Sequence, residues 1–94
     1  MNDKNTSIYS LVSMQKAMEF LDNADYIWMD VRPKQLYDMG AIPGALSAPF
    51  SDIEVFQEFL DSSDTSKTYV VYCQGGVTAP KAAQYCLNMA LYLL

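Results

Sequence analysis

The sequence predicts an α/β domain built on a largely parallel sheet, and three observations carry that reading. Residues 26–31 (Tyr-Ile-Trp-Met-Asp-Val) form a near-continuous apolar run of strand length, the pattern of a parallel strand buried on both faces. Thr68–Tyr72 (Thr-Tyr-Val-Val-Tyr) is a second such run, the most strand-like in the chain by its β-branched and aromatic content. Segments with helical spacing alternate with these runs, as they do where crossover helices link parallel strands.

Element by element, residues 7–9 read as a short strand. Leu11, Met14, Met18 and Leu21 then recur at helical spacing, with Ser10 as the expected N-cap, and residues 22–25 (Asp-Asn-Ala-Asp) end that helix. The strand at 26–31 follows and finishes in the charged tip Asp30 and Arg32. Pro33 opens a short helix through Met39 and Gly40 stops it, proline just inside the start and glycine past the end. Ala41-Ile42-Pro43-Gly44 reads as a turn and residues 45–48 as another short strand. Ser51 with Glu54 three residues on is read as a capping box for a helix through Leu60, whose apolar stripe is Val55, Phe56, Phe59 and Leu60. A polar loop at 61–67 leads into the strand 68–72. Cys73 sits at the carboxyl end of that strand, and after the loop 74–78, Ala79, Ala82, Ala83, Cys86, Leu87 and Ala90 fall on one helical face, with Thr78 as N-cap and Pro80 tolerated in the first turn. Met14, Met18, Trp28, Phe56 and Phe59 are expected in the core.

At 94 residues the chain has room for one domain, and a domain of this size buries roughly 60–65% of its unfolded surface. A polar leader is read at 1–6 and the domain at 7–94. With 51% hydrophobic and 18% charged residues, the chain is too apolar to be disordered and too interrupted by charge to cross a membrane. Net charge is −5: all eleven acids lie in residues 1–64, against Lys4, Lys16, Arg32 and Lys34, while residues 65–94 hold only Lys67 and Lys81. The segment around Cys73 is thus the only one with a positive balance, which suits an anionic ligand or a thiolate. There is no basic cluster for nucleic acid, and the polar amino terminus has no apolar stretch of the secretory kind, so a cytoplasmic protein is expected. Neither a disulfide between Cys73 and Cys86 nor any metal or other cofactor is expected, and with no histidine in the sequence a Cys-His pair is ruled out.

Asp30, Arg32 and Cys73 all fall at carboxyl ends of predicted strands, where open α/β sheets hold their ligands. Cys73 also stands just ahead of a predicted helix, whose unpaired N–H groups favour a charged sulfur. Gly75 and Gly76 let the loop backbone curl so that successive N–H groups converge on the sulfur or on an anion. The same residues also describe a buried strand-end cysteine followed by an ordinary turn. Cys86 sits on the apolar stripe of the last helix and reads as core.

Asp30-Val31-Arg32 followed by Gly40-Ala41-Ile42-Pro43-Gly44-Ala45 resembles the rhodanese signature, a strand ending Asp-x-Arg and then Gly-His-Ile-Pro-Gly-Ala. Residues 70–78 (Val-Val-Tyr-Cys-Gln-Gly-Gly-Val-Thr) resemble that family's strand and six-residue active loop. The motifs come in the family's order, about forty residues apart. The resemblance implies a three-layer domain and a sulfurtransferase: Cys73 takes sulfane sulfur from a donor such as thiosulfate, carries it as a persulfide and yields it to cyanide or a thiol. It further implies substrate binding by Gln74, Gly75, Gly76, Val77 and Thr78, with Arg32 and Asp30 as candidates that have a structural role open to them as well.

Two positions depart from the family pattern: Ala41 replaces the usual His, and Thr78 stands where the loop often carries an anion-binding Arg. These departures keep open a non-catalytic rhodanese-like module that binds another protein. A cysteine phosphatase would need Arg six residues after the cysteine, where this chain has Ala79. Family members continue into one more strand and a final helix, so the chain is expected to be short at its carboxyl end, with residues 91–94 as the stub of that strand. The apolar sheet edge this would expose would favour self-association or a protein partner.

Overall fold

The central strands are apolar on both faces, so the sheet they form has to be covered on both sides. The computed structural model of the protein describes residues 9–86 and 90–94. Among these residues five strands, β1 (Tyr9–Leu11), β2 (Tyr26–Asp30), β3 (Leu46–Ser47), β4 (Thr68–Tyr72) and β5 (Ala90–Leu93), form one sheet in the order β1-β5-β4-β2-β3. Every pairing is parallel. The helices are α1 (Met14–Ala17), continued by a 3-10 turn at Met18–Phe20, α2 (Lys34–Met39), α3 (Ile53–Asp61) and α4 (Thr78–Ala83).

Side chains alternate across the sheet with the period of two that pleated strands impose. Met29, Tyr69, Val71, Leu91 and Leu93 join Phe56 of α3 and Ala79, Ala82 and Ala83 of α4 in the larger core. Trp28, Val70 and Tyr72 face the other way and pack with Ala17 of α1, Ala45, and the partly buried Phe20, Tyr37 and Tyr92. Phe20 stacks on Tyr26 at 4.2 Å between ring centres and on Tyr92 at 5.3 Å. The result is the expected three-layer α/β domain.

Several local expectations give way to tertiary pairing. Residues 7 and 8 of the expected first strand lie outside the described residues, and the strand runs instead through Ser10 and Leu11, which pair with Tyr92 and Leu93. The first helix is therefore shorter than its apolar spacing predicts. Its N-cap is Ser13, whose hydroxyl accepts the Lys16 N–H at 3.1 Å, and not Ser10. Met14 and Met18 are each 49% exposed and do not belong to the core; Ala17 is the buried residue of that turn. Asp52, not Ser51, caps α3, its carboxylate accepting the Val55 N–H at 3.2 Å, and Val55 itself is exposed.

The largest difference is at the carboxyl end. The helix expected to reach Ala90 stops at Ala83, Val77 rather than Thr78 occupies its cap position, and Leu87 lies outside the described residues. Residues 90–93 are not a stub but a full inner strand, with β1 on one side and β4 on the other. Leu91 and Leu93 are 4% and 1% exposed. A ladder satisfied on both edges and two buried leucines outweigh a helical stripe that is only a local preference. The sheet edge that a missing inner strand would have exposed is consequently filled, and the open edges among the described residues are those of β1 and β3.

Phe56 is fully buried and joins the edge-to-face cluster with Phe50 and Tyr85. Phe56→Ala is expected to cost about 3–5 kcal/mol in urea unfolding, whereas Val55→Ser one residue earlier should change stability by about 0.5 kcal/mol or less.

Candidate functional site

The carboxyl ends of β2 and β4 lie side by side, Asp30 opposite Tyr72, which brings together residues about forty positions apart in sequence. Asp30 is fully buried, and its carboxylate is held by its own neighbour. Oδ1 accepts the Arg32 backbone N–H at 2.9 Å and Nε–H at 3.0 Å, and Oδ2 accepts an Nη2–H at 2.8 Å. The second Nη2–H of Arg32 goes to the Gly40 carbonyl at 2.8 Å. The hydrogen bond to Asp30 is the chief reason the Arg32 pKa is raised above its ordinary value. The guanidinium lies 5.6 Å from the centre of the Tyr72 ring, close enough for cation–π attraction.

Tyr72 extends this network. Its hydroxyl accepts the Ile42 N–H at 3.2 Å, and Tyr37 of α2 donates to the Ala45 carbonyl at 2.7 Å. Between these anchors the chain turns at Pro43-Gly44, with the Ala45 N–H returning to the Ile42 carbonyl at 3.0 Å. Gly44 has φ +84°, as the third residue of a type II turn requires. Burial raises the Tyr72 pKa, so the phenol stays neutral and keeps its proton.

Cys73 follows Tyr72 directly and is half-buried. Its Sγ accepts the backbone N–H of Ala79 at 3.2 Å, so the loop folds back over its own first residue. Gly75 and Gly76, at φ +78° and +72°, make that return, a left-handed pair that a side chain would strain. The expected convergence of several N–H groups on the sulfur reduces, among the described residues, to this one donor. Ala79 lies in the first turn of α4, so this donor comes from the amino-terminal end of that helix.

A cavity of about 360 Å³ opens beside the sulfur, lined by Cys73, Gln74, Tyr72, Arg32, Gly40 and two α2 residues, Leu36 and Met39. Of the residues singled out in the sequence, Cys73, Gln74 and Arg32 meet here. Gly75, Gly76 and Val77 stand exposed on the loop outside the lining, and Thr78 begins α4. Asp30, with no exposed surface, is no ligand contact; it holds Arg32 instead. Leu36, Met39 and Tyr72 were not foreseen as lining. The signal available for them was position: α2 leaves directly from the Asp30-Arg32 tip, so it has to flank the same sheet end.

The rhodanese-like domain family matches residues 13–93, and the chain belongs to that family. It is 28% identical over 81 residues to the thiosulfate sulfurtransferase GlpE of Coxiella burnetii, an alignment covering 86% of this chain and 73% of that protein. It is 29% identical over 79 residues to the tRNA uridine(34) hydroxylase of Photorhabdus laumondii, covering 79% of this chain, which spans only 22% of that longer protein. A solved structure of an uncharacterised Saccharomyces cerevisiae protein shares the fold with a TM-score of 0.74 at 16% identity, over 89% of this chain and 83% of that one. Among the described residues, no helix is long and apolar enough to cross a membrane.

Both cysteines are free, and their surroundings set them apart. Cys86 is fully buried, and burial pushes its pKa up to about 12. Iodoacetamide at pH 8 is therefore expected to label one thiol, Cys73, in native protein and two in urea, read by mass spectrometry. Asp30→Ala should lower stability by about 3 kcal/mol, because it strands the Arg32 guanidinium, and Asp30→Ala with Arg32→Leu should recover part of that loss in a denaturation cycle.

Proposed function

We propose that this chain is a sulfurtransferase that carries sulfane sulfur as a persulfide on Cys73. The observation that carries the reading is the seat of the sulfur: behind a loop bent by two left-handed glycines it accepts the Ala79 N–H at the start of α4, and Cys73 lines the cavity. The 28% identity to a thiosulfate sulfurtransferase supports the same chemistry.

In this mechanism the Cys73 thiolate attacks the outer sulfur of the donor. The donor's S–S bond breaks, and its remainder leaves with the bonding electron pair, as sulfite when the donor is thiosulfate. The persulfide's negative charge then sits on the terminal sulfur, one bond from the Sγ that the Ala79 N–H already meets. A thiophilic acceptor, cyanide or a thiol, attacks that terminal sulfur and returns Cys73 as the thiolate. Two displacements replace one difficult transfer, which is the usual gain of covalent catalysis. Neither displacement requires a proton from a side-chain base, so the lack of histidine is no obstacle. Two unpaired thiols also suit a reducing, cytoplasmic setting.

Reduced protein incubated with thiosulfate, and separately with a more reactive persulfide donor, is expected to gain one sulfur atom by intact-mass spectrometry. Cyanide should remove it, and Cys73→Ser should never acquire it. Folded protein that gains nothing from either donor would leave the chain as a rhodanese-like binding module.

A further inference from the structure

Charge and apolar surface are unevenly supplied around the Cys73 cavity. Among the described residues its only charged lining residue is Arg32, and that guanidinium is already paired with Asp30. Of its five N–H donors, three are committed: Nε–H and one Nη2–H to the buried Asp30 carboxylate, and the other Nη2–H to the Gly40 carbonyl. The loop itself, Gln74-Gly75-Gly76-Val77-Thr78, contains no cation, and Lys81 is exposed and outside the lining. The chain as a whole carries −5. A small dianion entering here would lose hydration without a compensating free cation, against a repulsive net field.

The α2 residues of the lining offer something else. Leu36 is only partly buried and Met39 is 83% exposed, both on α2 at the cavity's edge. Met39 takes no part in either core cluster. Its thioether and methylenes are apolar surface left in water beside the reactive sulfur, available to a ligand that covers them.

Resting on the persulfide reading above, we infer that the preferred donor of this site is a monoanionic sulfane-sulfur compound bearing an apolar substituent, seated against Leu36 and Met39, rather than the dianion thiosulfate. An aryl thiosulfonate has this form. The Cys73 thiolate bonds to its outer sulfur, the bond from that sulfur to the sulfonyl sulfur breaks, and the aryl sulfinate leaves with the electron pair. The charge on the outer sulfur becomes that of the persulfide, and no proton, oxidant or reductant enters.

The test compares benzenethiosulfonate, methanethiosulfonate and thiosulfate as donors, with cyanide as acceptor, in the unaltered protein and in Met39→Ala, Leu36→Ala and Met39→Lys. Benzene- and methanethiosulfonate have equal charge, and comparing each donor pair across variants cancels intrinsic reactivity. The aromatic donor is expected to exceed the methyl one in kcat/KM by roughly tenfold or more, chiefly through KM, and Met39→Ala and Leu36→Ala should each cut that ratio severalfold. Met39→Lys should raise kcat/KM for thiosulfate and lower it for the aromatic donor. Met39 is almost wholly exposed, so its variants test the contact without disturbing the fold. Equal use of the two thiosulfonates, or a ratio that Met39→Ala and Leu36→Ala leave unmoved, would overturn the donor preference while sulfur on Cys73 still upheld the transferase. Absence of sulfur on Cys73 from every donor would overturn both.

Discussion

The buried carboxylate of Asp30 is the constraint from which the rest of the site follows. A charge with no exposed surface at the end of a central strand is tolerable only if it is paired and hydrogen-bonded, and the partner two residues on meets both needs. Once Arg32 is fixed by that pairing, its remaining Nη2–H reaches the carbonyl of Gly40, where α2 ends. The segment after Gly40 then lies where Ile42 donates to Tyr72, the residue before Cys73. One ion pair at the tip of β2 thus ties three separate stretches of chain to the floor of the cavity. Its stabilising energy is modest, because desolvation offsets most of the attraction, so its main effect is to fix geometry.

The sheet makes that geometry stiff. β2 and β4 are neighbours in the interior of the sheet, apolar on both faces and paired over their whole length from Tyr26–Thr68 to Asp30–Tyr72. With one face sealed by α3 and α4 and the other by α1 and the aromatic cluster around Trp28, the strand ends have little freedom to shift. A register slip of one residue would exchange the two faces and put Asp30 out of step with Tyr72, which strongly disfavours it. The Cys73 loop is therefore a glycine turn mounted on a rigid base, an arrangement in which loops often carry function.

The site is also economical in charge. It uses a backbone N–H on the sulfur and a salt-bridged guanidinium at the wall, and it leaves the mouth lined by Tyr72, Leu36 and Met39. A fixed backbone dipole favours an anionic sulfur whatever ligand approaches it, whereas the lining selects among ligands. The positive balance of residues 65–94, which the sequence suggested would favour anions, does not reach this cavity: Lys81 is exposed on α4, and the ammonium of Lys67 donates to the Ala24 carbonyl at 3.1 Å, at the amino-terminal end of the sheet.

What the sequence determined by itself was whatever rests on short-range pattern. The strands at 26–30 and 68–72, α2 between Pro33 and Gly40, α3, and the nearness of Asp30-Arg32 to Cys73 all follow from apolar runs, proline and glycine placement and the rule that parallel strands present their carboxyl ends together. The tertiary structure alone decided the elements in which local and distant preferences conflict. Ser10 and Leu11 became strand because β5 offers them a ladder, and Ala90 left a helical stripe to begin β5 for the same reason. Met14, Met18 and Val55 carry core-like residue types at core-like spacing, yet no layer covers them, and periodicity cannot say how far a neighbouring layer extends. Within the site, the sequence could name Cys73 and its glycines because chemistry and backbone freedom are properties of single residues. That Asp30 is an inaccessible strut, and that Leu36 and Met39 form a wall, depends on which surfaces the packing of α2 against the strand ends leaves open, and that is fixed only when the whole chain is folded.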